Sequence, residues 1–133
     1  MSGAYVRVRV GQEHYAPPIA DVLEVVKLQA PTPVPGAPET LPGVINRRGQ
    51  VLALVDLSLL LGTIADSQPT RLLVVDDGRR CAGLAVDEVL DVGPMQELSV
   101  ATESDLLAAT ALIDGEVVGV LETERILDAA ASG

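Results

Sequence analysis

Short runs of valine, leucine and isoleucine, each closed by a turn rich in glycine or aspartate, recur along this chain and constrain its fold more than any other feature. Tyr5 to Val10 alternates, with Val6, Val8 and Val10 on one face and Tyr5, Arg7 and Arg9 on the other, as a half-buried strand requires. Leu72 to Val75 and Cys81 to Val86 flank Asp76-Asp77-Gly78-Arg79, a hairpin signal because Asp77-Gly78 readily enters left-handed conformations. A similar hairpin is expected at Leu112 to Leu121 around Asp114-Gly115. Such spacing favours a mostly antiparallel barrel or pair of barrels over alternating strands and crossover helices.

The interior must be built from branched aliphatics, since the chain has no Phe or Trp and only Tyr5 and Tyr15 as aromatics. Helices are few. Asp56 is placed to cap one turn from Ser58 to Leu61, ended by Gly62. Thr102-Glu103-Ser104-Asp105 resembles a capping box ahead of a short helix or turn, and Glu122 to Ala131 is the best helix candidate. Ile19 to Val26 forms a short segment in which Val22, Val25 and Val26 share a helical spacing, against which the β-branched content argues. Val86 to Val92 extends a strand that Pro94 interrupts. Prolines at 31, 33, 35, 38 and 42 exclude a central strand and point to an extended connection packed on the surface. At 133 residues, a single domain of two small lobes over 1–133 is expected.

Nineteen acidic against nine basic residues give a formal charge of −10, which disfavours nucleic acid and anionic membrane surfaces as partners. No apolar run reaches the roughly 18 residues needed to span a bilayer and the start lacks a secretory pattern, so a cytoplasmic protein without membrane insertion is expected. No cofactor or metal is implied. His14 is the only histidine, Cys81 the only cysteine and without a histidine beside it, and Asp87, Glu88 and Asp91 lack the further oxygen ligands a hard cation demands. No phosphate loop or nucleophile elbow occurs. The enzymatic alternative is a small carboxylate-dependent hydrolase, which requires Asp56, Asp87 and Glu88 to converge in one pocket.

The basic exception to this acidic chain lies within Leu41 to Leu57, where Arg47 and Arg48 sit in an Asn46 to Gln50 turn between apolar segments. That segment resembles the central signature of the CheW-like domain, the scaffold coupling bacterial chemoreceptors to their histidine kinase. Gly83 to Val92, with its Asp87-Glu88-Val89, and Val34-Pro35-Gly36-Ala37-Pro38 resemble further parts of that family's pattern. The resemblance implies a mainly β fold of two small five-stranded SH3-like barrels packed together, with a short C-terminal helix. It implies a non-enzymatic adaptor bridging the cytoplasmic tip of a methyl-accepting chemoreceptor and the regulatory domain of a CheA-type histidine kinase. Arg48 matches the arginine of the family's Asn-x-Arg-Gly turn and is the first interface choice, with Asn46 and Gly49 shaping the turn and Val44 and Ile45 helping to place it. Arg47 stands where an aliphatic residue is common, Gln50 where glutamate is frequent, and Leu121-Glu122 where Leu-Asp is usual; the resemblance gives Arg47 no role of its own. A standalone oligomeric module of the same family, lacking one of the usual partners, is the alternative within that resemblance.

Overall fold

The N-terminal alternation becomes β1 (Ala4–Val10), whose Val6, Val8 and Val10 are buried, and it turns through Gly11 and Gln12 into β2 (Glu13–Ala16). A computed structural model describes residues 3–65, 67–94, 97–98 and 104–132 of the chain. A single 3-10 turn, Ile19–Asp21, then leads into β3 (Val22–Lys27). The helical spacing of its valines is overridden by pairing along the neighbouring strand, where β-branched side chains fit the pleat.

The proline-rich stretch is tied down at several points. Thr32 exchanges two backbone hydrogen bonds with Val44, at 2.8 and 2.9 Å, and the Thr40 carbonyl accepts the Asp56 N–H at 2.9 Å. Gly43 permits the first of these approaches, because a Cβ there would stand 2.4 Å from the Thr32 carbonyl oxygen.

The next strands are β4 (Gly43–Arg47), β5 (Gln50–Asp56), β6 (Arg71–Asp76) and β7 (Cys81–Val86). With β3 they form a five-stranded sheet in the order β3-β6-β7-β5-β4. Arg47 on β4 bonds Glu24 on β3, so the two outermost strands meet and the sheet closes into a barrel. Both faces are buried along β6 and β7. Ile45, Leu52, Leu54, Leu72, Val74 and Ala85 fill the interior, while Val55, Leu73, Val75, Leu84 and Val86 join Val6, Val8 and Val10 in a core shared with the other sheet. This double burial explains why Leu72 to Val75 is apolar at every position.

Between β6 and β7 only Gly78 is left-handed, at φ 95°; Asp77 is not. Its carboxylate instead accepts the backbone N–H groups of Arg79 and Arg80 at 2.9 and 2.7 Å, and both Nε and Nη2 of Arg80. Arg80 reaches on to Asp128 at 2.8 Å, docking this turn on the C-terminal helix.

After β7 the chain changes sheets at Asp87, so the expected continuous strand is broken there. β8 (Glu88–Pro94) runs against β1, and Pro94 lies at its end opposite Ala4. The first sheet has the order β8-β1-β2-β11-β10-β9, with β9 (Glu97–Leu98), β10 (Leu107–Ile113) and β11 (Glu116–Leu121). It therefore has five full strands and a two-residue sixth, in agreement with the two-barrel expectation. Thr102 and Glu103 of the capping box fall outside the described residues; Ser104 Oγ accepts the Leu106 N–H in a turn leading into β10.

α1 (Leu57–Leu61) is capped by Asp56, which accepts the Leu59 N–H at 3.1 Å, and ends at the left-handed Gly62. α2 (Thr123–Ser132) lays Ile126, Leu127 and Ala130 on the shared core. Among the described residues no helix is long and apolar enough to cross a membrane.

Asp87 is 7% exposed and links the sheets chemically. Its Oδ2 accepts the Gly11 N–H at 2.9 Å, Ser67 Oγ at 3.2 Å and Arg9 Nη1 at 3.4 Å, while its backbone bonds Arg9 and Thr70. Asp87→Ala strands the buried Gly11 amide and is expected to lower the unfolding free energy by about 3 kcal/mol in urea titration; an unchanged midpoint would refute the clamp.

The Arg80 guanidinium, with the Arg79 and Arg80 backbone amides, holds the Asp77 carboxyl down at about 2. A depressed folded value means that the associated stability is complete above the ordinary aspartate range, about pH 4, and is lost as pH falls through about 2. Thermal melts should therefore show wild type and Asp77→Asn converging over that acid window, and a gap between them that does not narrow there would contradict the assignment.

Candidate interaction site

Arg47 and Gln50 are the last paired residues of the β4–β5 hairpin, leaving Arg48 and Gly49 as a two-residue turn. Their φ angles, 52° and 80°, are both left-handed, the geometry of a type I′ turn. The Gly49 N–H donates to Asn46 Oδ1 at 3.1 Å, which fixes the turn from one side. The β10–β11 hairpin makes the same turn with Asp114 and Gly115 at 50° and 80°. Aspartate and glycine suit those positions, whereas a left-handed arginine costs about 1 kcal/mol. Arg48 thus occupies a place that turn chemistry would give to Asn, Asp or Gly.

Beneath it lies a carboxylate that the sequence did not single out. Arg47 Nε and Nη2 donate to Glu24 Oε1 and Oε2 at 2.8 and 3.1 Å, a two-pronged pair across the barrel seam. Hydrogen bonding by Arg47 lowers the Glu24 carboxyl below its ordinary value, against desolvation and with help from the Arg47 and Arg48 charges. Arg48 Nη2 stands 3.8 Å from Oε2, with its side chain 77% exposed. Val51, opposite Asn46, is 66% exposed, and Leu23 and Val25, on the face of β3 away from Glu24, are exposed as well. Val44 is half-buried and paired to Thr32, while Ile45 is 3% exposed inside the barrel and supports the turn through packing.

The three carboxylates of the hydrolase reading are not brought together. Asp56 and Asp87 open on one depression of about 460 Å³, but Asp56 caps α1, Asp87 clamps the sheets, and Glu88 does not line it. Asp91 pairs with Arg7 on β1. Among the described residues no group of three or more His, Cys, Asp or Glu could hold a metal ion. Cys81 packs against the barrel interior, and burial, followed by the charges of Asp76 and Glu24, pushes its thiol up, away from nucleophilic character.

The family model for the CheW-like domain matches residues 4–131. The chain belongs to the CheW-like domain family. It is 34% identical over 128 residues to the chemotaxis protein CheW of Helicobacter pylori, covering 89% of this chain and 77% of that one. To CheW of Rhizobium meliloti it is 30% identical over 131 residues, with 91% and 84% covered. The crystal structure of the scaffolding protein TtCheW from Thermoanaerobacter tengcongensis superposes with a TM-score of 0.83 at 27% identity, over 92% of this chain and 85% of that one. Of the segments that carry the resemblance, Leu41 to Leu57 holds the β4–β5 hairpin of this CheW-like domain, and Gly83 to Val92 runs from β7 through Asp87 into β8 in the other sheet.

Glu24 was missed because the only local signal is one acid inside the five-residue apolar run Val22 to Val26, and its partner lies 23 residues away. Replacing Arg48 by glycine relieves the left-handed backbone but enlarges the unfolded ensemble, so unfolding free energy should stay level or rise by up to about 1 kcal/mol. A clear loss of stability in chemical denaturation would show that Arg48 holds the fold.

Proposed function

We propose that this protein is a non-enzymatic adaptor that joins the cytoplasmic tip of a methyl-accepting chemoreceptor to the regulatory domain of a CheA-type histidine kinase. Family membership over residues 4–131 supports a coupling scaffold of the chemotaxis class. The observation that carries the surface assignment is the exposed, left-handed Arg48, held by Asn46 and Gly49 on a chain of formal charge −10. A guanidinium held on a short turn, with exposed Val51 on the same hairpin, combines a directed charge with an apolar contact. Asn46 and Gly49 shape the turn, Val44 and Ile45 brace it, and Arg48 meets an acidic partner. The adaptor works at cytoplasmic receptor arrays without entering the bilayer and without nucleic acid.

Arg48→Glu is expected to weaken binding to at least one of the two partners by on the order of 2 kcal/mol, roughly 30-fold, if the contact is desolvated. Arg71→Glu carries the same charge change at the exposed start of β6, paired with Val86 at the opposite end of the sheet from the β4–β5 turn, and serves as control; Arg47 does not, because it closes the barrel. Calorimetric titration against receptor tip and kinase domain, with circular dichroism for folding, reads the result. Unchanged affinity for both partners in folded Arg48→Glu protein removes this turn from the interface, and self-association alone in the wild type favours the standalone oligomeric module.

A further inference from the structure

Two guanidinium groups and one carboxylate crowd the seam between β3 and β4. Arg47 takes both oxygens of Glu24 with short, two-pronged hydrogen bonds, and the pair is largely shielded, at 22% and 27% side-chain exposure. Arg48 reaches the same carboxylate only loosely, at 3.8 Å. The fork takes about two of the four lone-pair sites of the carboxylate and offsets its charge, while Arg48 stays at the edge of ion-pair distance. Remove the fork, and the charge of Glu24, already 3.8 Å from Arg48, is no longer offset by Arg47.

We propose that Arg47 is a positioning residue, which by pairing with Glu24 offsets that carboxylate's charge beside Arg48 and leaves the turn with a net positive charge to present to an acidic partner. With Arg47 present, the three groups sum to one unit of positive charge; with leucine in its place they cancel, and Arg48 gains an internal competitor for any external carboxylate. Arg47 therefore selects for an acidic partner without touching it. This inference rests on the reading that Arg48 meets such a partner.

The test compares wild type, Arg47→Leu, Glu24→Gln, Arg47→Leu/Glu24→Gln and Arg48→Glu by titration against the kinase regulatory domain and the receptor tip. For the partner that responds to Arg48→Glu, Arg47→Leu should weaken binding about 5- to 10-fold, with a matching fall in association rate at low salt. The double variant, which restores the positive charge without restoring the bridge, should return to within about twofold of wild type. Glu24→Gln alone should bind as tightly as wild type or about twofold tighter, and it reads the same competition if Arg47→Leu does not fold. If Arg47 serves only to close the barrel, the double variant stays as weak as Arg47→Leu, and the proposal falls. Weaker binding by Glu24→Gln also overturns it, since the carboxylate then serves the partner directly. Loss on Arg48→Glu with no loss on Arg47→Leu refutes the positioning role alone, whereas no effect of Arg48→Glu refutes the interface reading beneath it.

Discussion

A buried carboxylate at the crossing between two sheets organises this molecule. Asp87 interrupts what would be a continuous strand, sends β7 into one sheet and β8 into the other, and bonds back to Arg9 and Gly11 on the first hairpin and to Ser67 on the loop before β6. Without these partners a side chain 7% exposed would be a desolvated charge, so the clamp and the strand switch require one another. The shared core then follows: Val6, Val8 and Val10 from one sheet can meet Leu73, Val75, Leu84 and Val86 from the other because the chain crosses at that point.

The same logic of distant polar pairs governs the surface. A five-stranded sheet leaves two outer strands, and here Arg47 and Glu24 stitch them where no ladder of backbone bonds does. Closure brings β3 beside the β4–β5 turn, and so sets Glu24 3.8 Å from an arginine that the sequence alone puts only next to Asn46 and Gly49. Function is carried by the sites displayed on the barrel rather than by the barrel itself.

Features legible in the sequence were those specified within a few residues. The β1 alternation, the Asp56 cap with Gly62 behind it, the Asp114-Gly115 turn and α2 all rest on local chemistry, and the structure follows them closely. Two-barrel closure came from the family resemblance, because the parallel pairing of β2 with β11 joins segments from opposite ends of the chain. Asp87 stood in the sequence only as one acid beside Glu88 and Asp91, since nothing adjacent in sequence reveals Arg9 or Gly11. Asp77 was expected to lend its backbone to a left-handed turn and lends its carboxylate instead. Arg48 was legible as the interface candidate; its tension with turn geometry and its relation to Glu24 emerge only when β3 and β4 stand side by side.

Bridging is the central claim, and sedimentation velocity tests it directly. The receptor tip and the kinase regulatory domain are each run alone, together, and together with this protein. The account predicts a species containing all three that forms only when this protein is added. Binary complexes whose two partners displace one another, or no complex with either partner, would contradict it.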